Sequence, residues 1–218
     1  MIHPKTEVAT AQEWTRRRSD VVAVVVGLAV LAAGMVAVRD GSISSAEKAV
    51  FDFVNGLPGA LYPVMWPFQQ LGVLVAGPIV AIAAVIMRHY RLALAAILVT
   101  VLKLALERVV KAMVSRERPR ASIGPEVELR GNVPVSGESF VSGHAVLVVS
   151  LAMVITPYLS GRWRFAPWVA AGLVLMARVY VGAHHPLDVV CGAGLGAAIG
   201  GAVTLIVGVP AADGQGRG

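Results

Sequence analysis

The sequence predicts an all-α fold: a six-transmembrane-helix bundle with a short interfacial helix between spans one and two. Three observations carry this. The mean hydropathy is +0.72. Only 15% of the 218 residues are charged, whereas soluble domains carry roughly 25%. The apolar residues also gather in runs suited to a hydrocarbon core of roughly 30 Å.

In order, the spans fall at 21–38, 71–87, 92–113, 142–159, 166–182 and 186–208. Residues 1–20 read as a polar, mobile cytoplasmic tail, 21–208 as one domain and 209–218 as a second tail. The first run follows Arg16, Arg17 and Arg18 but is long for a signal peptide, and more spans follow, so it reads as a retained helix. In Ala46–Leu57, the residues Ala46, Val50, Phe53, Val54 and Leu57 recur at helical spacing, which predicts a helix anchored on the membrane surface. Tyr62, Trp66 and Phe68 follow, as aromatic residues do near a headgroup boundary. Span two is short, and is expected to extend back through Trp66-Pro67-Phe68.

Span three is interrupted by Lys103, Glu107 and Arg108. Lys103 and Glu107 are four apart and read as a structural pair on one helix face. In span six, Gly192-x3-Gly196-x3-Gly200 permits close helix contact, within the bundle by default and in a homodimer as the weaker option. The single cysteine, Cys191, reads as a buried, inert thiol.

Short connections set the orientation. Arg16, Arg17, Arg18, Arg88, Arg91, Arg162 and Arg164 flank the spans on one side, which the positive-inside rule assigns to the cytoplasm. Loops 39–70, 114–141 and 183–185 then face outward. The net charge of +6 does not indicate nucleic acid, since the chain has neither a basic stripe with interleaved aromatics nor a soluble recognition module.

Three segments carry chemistry: Lys111-x6-Arg118-Pro119, Ser142-Gly143-His144, and Arg178-x5-His184-x3-Asp188. Each cation alone is matched by ordinary snorkelling at a helix end. Converging, Lys111, Arg118 and Arg178 would clamp phosphate oxygens and stabilise a phosphoryl-transfer transition state. Ser142 and Gly143 stand where span four begins, so free backbone N–H groups there favour an anion. His144 is then placed to protonate a leaving oxygen. Pro186 suits the first turn of span six, so Asp188 faces back towards His184 and fixes its tautomer, leaving the other nitrogen as a nucleophile. His185 reads as a surface or packing residue. A metal held by His144, His184, His185 and Asp188 is the competing reading, but three cations would crowd and repel it. No metal or other cofactor is expected.

These residues resemble the type 2 phosphatidic acid phosphatase superfamily, whose signature is K-x6-R-P, then P-S-G-H, then S-R-x5-H-x3-D. Order and internal spacing match throughout, with two departures: Val141 stands in place of the proline and Ala177 in place of the serine. The resemblance implies that His184 attacks phosphorus to give a phosphohistidine, that His144 protonates the leaving group and that Asp188 orients His184. It implies that Lys111, Arg118, Arg178, Ser142 and Gly143 bind phosphate. Neither departure removes a nucleophile, proton donor or clamp, so an active enzyme is expected.

The expected function is therefore an integral-membrane lipid phosphatase acting on a phosphomonoester or diphosphate. Its partners would be a lipid phosphate and the bilayer, and its place a bacterial plasma membrane with the site facing outward. Polyprenyl diphosphate (undecaprenyl or decaprenyl) is the first choice of substrate. Phosphatidylglycerophosphate, phosphatidic acid and prenyl-linked sugar phosphates follow. A phosphotransferase is the second enzymatic option. A lipid-phosphate transporter or binding scaffold is the rival of another class, although no internal repeat of the kind common in transporters is evident.

Overall fold

A computed structural model describes residues 13–211. A helix forms at each of the six expected positions: α1 (Arg18–Ala37), α4 (Ala76–Ile86), α5 (Tyr90–Met113), α7 (Gly143–Ile155), α8 (Ala166–Tyr180) and α9 (Pro186–Val207). Three further helices, α2 (Ser45–Asn55), α3 (Tyr62–Gln70) and the short α6 (Pro119–Ser122), lie in the connections. Among the described residues, only α1 and α9 are both long and apolar enough to cross a membrane. The others fall short for separate reasons. α5 has the length, but Lys103, Glu107, Arg108 and Lys111 interrupt it. α4 has only 11 residues, about 16 Å at the usual rise.

The expected second span is divided. The chain turns between Gln70 and Ala76, so Trp66-Pro67-Phe68 belong to a separate α3 and do not extend α4. The turn brings Gly72 against His144, where a Cβ would lie 2.7 Å from the ring.

α9 is the axis of the bundle, and its glycines explain why. Gly192, Gly196 and Gly200 face Ser142, Val146 and Met153 of the α7 segment. Gly194 meets Gly27 of α1, and Cys191 fills the space over Gly34. Small residues on two faces let two helices approach at once. The repeat thus packs inside the chain, and Cys191 is buried as expected. Outward-facing side chains of α1 and α4, including Val22, Val25, Ile79 and Ile86, are apolar and exposed.

Parts of both expected tails are built into the fold. β1 (Trp14–Thr15) pairs antiparallel with β2 (Val209–Pro210), a minor addition to an otherwise helical molecule. Arg91 stacks on Trp14 at 4.1 Å and donates to the Val207 carbonyl at 2.8 Å. α1 already begins at Arg18. The rest of each expected tail, 1–12 and 212–218, lies outside the described residues. The β1–β2 pair and the α4–α5 connection therefore share one end of the bundle.

α2 forms where expected, capped by Ser44, whose hydroxyl accepts from the Glu47 N–H at 3.1 Å. Its apolar stripe stays outward, as a helix anchored on a membrane surface requires. Glu47, Phe51 and Asn55 turn inward, while Val50 and Phe53 remain exposed. The polar pair is drawn inward by its bonds: Glu47 to Arg116, and Asn55 to Glu128 and Tyr180. The apolar stripe that predicted the helix marks its outer side.

Candidate functional site

Away from the β1–β2 pair, a cavity of about 490 Å³ opens between α3, α5, α7, α8 and the loop that follows α5. Lys111, Arg118, Gly143, His144, Arg178 and His184 line it, so six of the eight expected site residues meet there. Ser142 and Asp188 are fully buried behind it, and the Ser142 N–H donates to the Asp188 carbonyl at 3.0 Å.

The local structure places each group. α5 ends at Met113 and the backbone becomes extended at Val114, so Arg118 reaches the cavity from a loop and not along the Lys111 face of a helix. It is held by carbonyls: Nε donates to Ser136 at 3.0 Å and Nη1 to Ala183 at 2.9 Å. Pro119 follows as the first residue of α6, as its missing N–H favours. Lys111 is paired, its Nζ lying 2.9 Å from Glu107 Oε1, while Lys103 holds Oε2 at 2.7 Å. The Lys103–Glu107 pair forms as expected, but both residues also line the cavity.

Ser142 occupies the N-cap of α7 and Gly143 its first turn. The Ser142 hydroxyl is buried with no hydrogen-bond partner among the described residues. Gly143 lies close against Glu107, since a Cβ there would be 2.5 Å from Glu107 Oε2 and would push that carboxylate aside. A helix N-terminus open to a cavity is a ready anion site.

Arg178 and His184 are joined by a tight reversal. Gly182 adopts φ +76°, a conformation open to glycine, and the N–H groups of Ala183 and His184 both reach the Arg178 carbonyl. The Arg178 side chain is steered by Gln69 of α3, whose Oε1 accepts from Nη1 at 2.8 Å. α9 then starts after His185 with Pro186 in its first turn, as expected.

The link between His184 and Asp188 differs from the expected one. His184 Nδ1 and Asp188 Oδ2 are 3.6 Å apart, too far for a good hydrogen bond. Ser139 stands between them, its hydroxyl 3.4 Å from Nδ1 and 2.5 Å from Oδ2. With its proton on Nδ1, His184 can donate to Ser139 and Ser139 to Asp188, which leaves Nε2 free. Burial pushes the His184 imidazole down to about 4, with Asp188 opposing and Arg178 adding to the shift. His184 is thus neutral at physiological pH.

Asp188 is shared. Oδ2 also accepts from the His185 N–H at 2.8 Å, and Oδ1 from Arg116 at 2.8 Å. His185 is a fully buried packing residue and not a surface one, between Asp188, Ser122 and the Phe51 ring. Sequence reasoning missed Arg116, Ser139, Glu47 and Gln69. No local pattern signals them, since each bonds to residues far along the chain.

The family model for the PAP2 superfamily matches residues 90–210, which include every one of these expected site residues. The chain belongs to the PAP2 superfamily. A curated relative, undecaprenyl-diphosphatase of Sulfolobus acidocaldarius, is 32% identical over 116 residues, covering 53% of this chain and 55% of that protein. The chain thus spans about half the length of this curated relative. Two crystal structures are similar. Aquifex aeolicus LpxE superposes with a TM-score of 0.65 at 26% identity, covering 72% of this chain and 93% of its own. A transmembrane PAP2-type phosphatidylglycerolphosphate phosphatase from Bacillus subtilis gives 0.66 at 25% identity, with 86% and 95% covered.

Proposed function

We propose that this PAP2 protein is an integral-membrane phosphatase that hydrolyses a lipid phosphate or diphosphate through a phosphohistidine on His184. The observation that carries the proposal is the meeting of His184 with Lys111, Arg118, Arg178 and the α7 N-terminus in one cavity. His184 Nε2 attacks phosphorus while the bond to the leaving oxygen breaks, and His144 donates the proton that oxygen requires. The three cations and the Gly143 N–H stabilise charge on the other phosphate oxygens, and Ser142 offers a hydroxyl. Water then attacks the phosphohistidine and gives a proton to His144, the P–N bond breaks, and inorganic phosphate leaves. Positive charge comes from side chains, so no step calls for a metal.

The six helices are read as spans, the short ones completed by the turns beside them. The end bearing the β1–β2 pair carries Arg16, Arg88 and Arg91 and is assigned to the cytoplasm. The cavity then opens outward, where a lipid headgroup can enter while its tails remain in the bilayer. A bacterial plasma membrane is the proposed location.

Polyprenyl diphosphate is the preferred substrate, supported by the relative named undecaprenyl-diphosphatase. Phosphatidylglycerophosphate is the second, favoured by the wide structural match to the Bacillus subtilis enzyme. Phosphate release from a panel of lipid monophosphates and diphosphates, by detergent-purified protein with EDTA present, tests the proposal. Metal-independent turnover with a clear lipid preference is expected. Binding without turnover on any lipid would overturn it.

A further inference from the structure

Behind the cavity, a chain of buried charges runs from the surface helix α2 to His184. Arg116 lies at its centre with a fully buried side chain. Its Nη2 is 2.6 Å from Glu47 Oε2, and its Nη1 is 2.8 Å from Asp188 Oδ1. Glu47 Oε1 also accepts from the Leu187 N–H at 2.9 Å. Leu187 belongs to the first turn of α9, the turn that carries Asp188. One carboxylate from α2 thus fixes both the guanidinium that holds Asp188 and the backbone on which Asp188 is mounted.

The line is continuous beyond Asp188. Its second oxygen takes the Ser139 hydroxyl, which faces His184 Nδ1. Ser139 is itself tied to the same loop, its N–H donating to the Arg116 carbonyl at 2.7 Å. The Arg116 N–H in turn donates to Glu138 at 2.7 Å. Neither Glu47 nor Arg116 lines the cavity. Their reach to the reaction is through Asp188 and Ser139 alone.

Resting on the phosphohistidine reading above, we propose that Glu47 and Arg116 are positioning residues for phosphoryl transfer, setting the Asp188–Ser139 pair that aims His184. A buried cation between two carboxylates costs desolvation that a good ion pair only offsets. Spending it beside an imidazole makes sense where orientation matters. An imidazole held by one hydrogen bond to a serine keeps its aim only if the acceptor behind that serine is fixed. Asp188 is held on both oxygens, one by Arg116 and one by Ser139 and His185.

The test is steady-state kinetics of the full chain in detergent on a polyprenyl diphosphate, with inorganic phosphate as inhibitor. Glu47→Gln keeps the shape and an acceptor for the Leu187 N–H but removes the charge. It should lower kcat about tenfold to hundredfold, the range found when outer partners that orient an imidazole are lost. KM and the phosphate inhibition constant should stay within about twofold, because the clamp of Lys111, Arg118 and Arg178 is untouched. Arg116→Lys should show the same split. Lys48→Ala, in an exposed pair with Asp52 on the same helix, should match the wild type.

Unchanged kcat in Glu47→Gln would overturn the proposal. So would parallel loss of kcat, KM and phosphate binding, or aggregation of both Glu47→Gln and Arg116→Lys, since either assigns the pair to stability only. His184→Ala runs alongside. If it retains turnover, the phosphohistidine reading itself fails; if it is dead while Glu47→Gln is normal, only the positioning role fails.

Discussion

Glu107 holds Lys111, with 2.9 Å between Oε1 and Nζ, on the wall of the cavity proposed to receive phosphate. The carboxylate also lies against Gly143, at the N-terminus of α7. A carboxylate there opposes an incoming phosphate while it keeps a clamp lysine in place. Glu107→Gln should therefore tighten inhibition by inorganic phosphate about fivefold, as roughly 1 kcal/mol of like-charge repulsion is removed. Titration of turnover with phosphate measures it, and weaker inhibition would show that holding Lys111 is the larger effect.

Gly143→Ala should disable the enzyme without unfolding it. The added Cβ would meet Glu107 oxygens at 2.5 and 2.6 Å, so the carboxylate must swing aside and take the Lys111 it holds with it. A shift of that size at the phosphate site costs about a hundredfold in rate. Turnover compared with helical circular dichroism checks both halves of this statement.

The His184 imidazole, held down to about 4 by burial, should stay neutral well below the ordinary value near 6.5. Above roughly 6.5 it is neutral in the folded and unfolded chain alike. As the pH falls, the unfolded chain takes up a proton that the folded site refuses. The stability contribution is thus fully present above that value and is lost as pH falls through the folded pKa. Nitrogen NMR of labelled histidine, with His184→Ala for assignment, should show no protonation of this ring at pH 5.5. A midpoint near 6.5 would contradict the burial described here.

Arg116→Ala should be strongly destabilising, since it leaves Glu47 and Asp188 buried without their shared cation. Breaking a buried pair in this way costs roughly 3–5 kcal/mol. Thermal unfolding in detergent should fall by many degrees, whereas Lys48→Ala should leave it unchanged. Equal melting temperatures would mean that water reaches the pair.

Much of this was legible in the sequence, and the exceptions share a cause. Regular spacing within one segment was readable: the start of α9 at Pro186, the Lys103–Glu107 pair and the glycines of α9 all follow from neighbours one turn apart. Contacts between distant segments were not. Ser139 precedes Asp188 by 49 positions, and Arg116 follows Glu47 by 69, so no local pattern announces either bond. Hydropathy also cannot separate a lipid-facing stripe from a core-facing one. That is why the apolar side of α2 was legible as a stripe while its inward face, Glu47 and Asn55, was not. The break between α3 and α4 was hidden for the same reason, because Leu71, Val73, Leu74 and Val75 remain apolar while the backbone turns.

The most direct measurement is phosphate release from polyprenyl diphosphate by purified wild type and His184→Ala under identical conditions. The proposed chemistry predicts steady, EDTA-resistant release by the wild type and loss of at least about a thousandfold in the variant, as for removal of a covalent nucleophile. Release by His184→Ala at a rate near that of the wild type would contradict it.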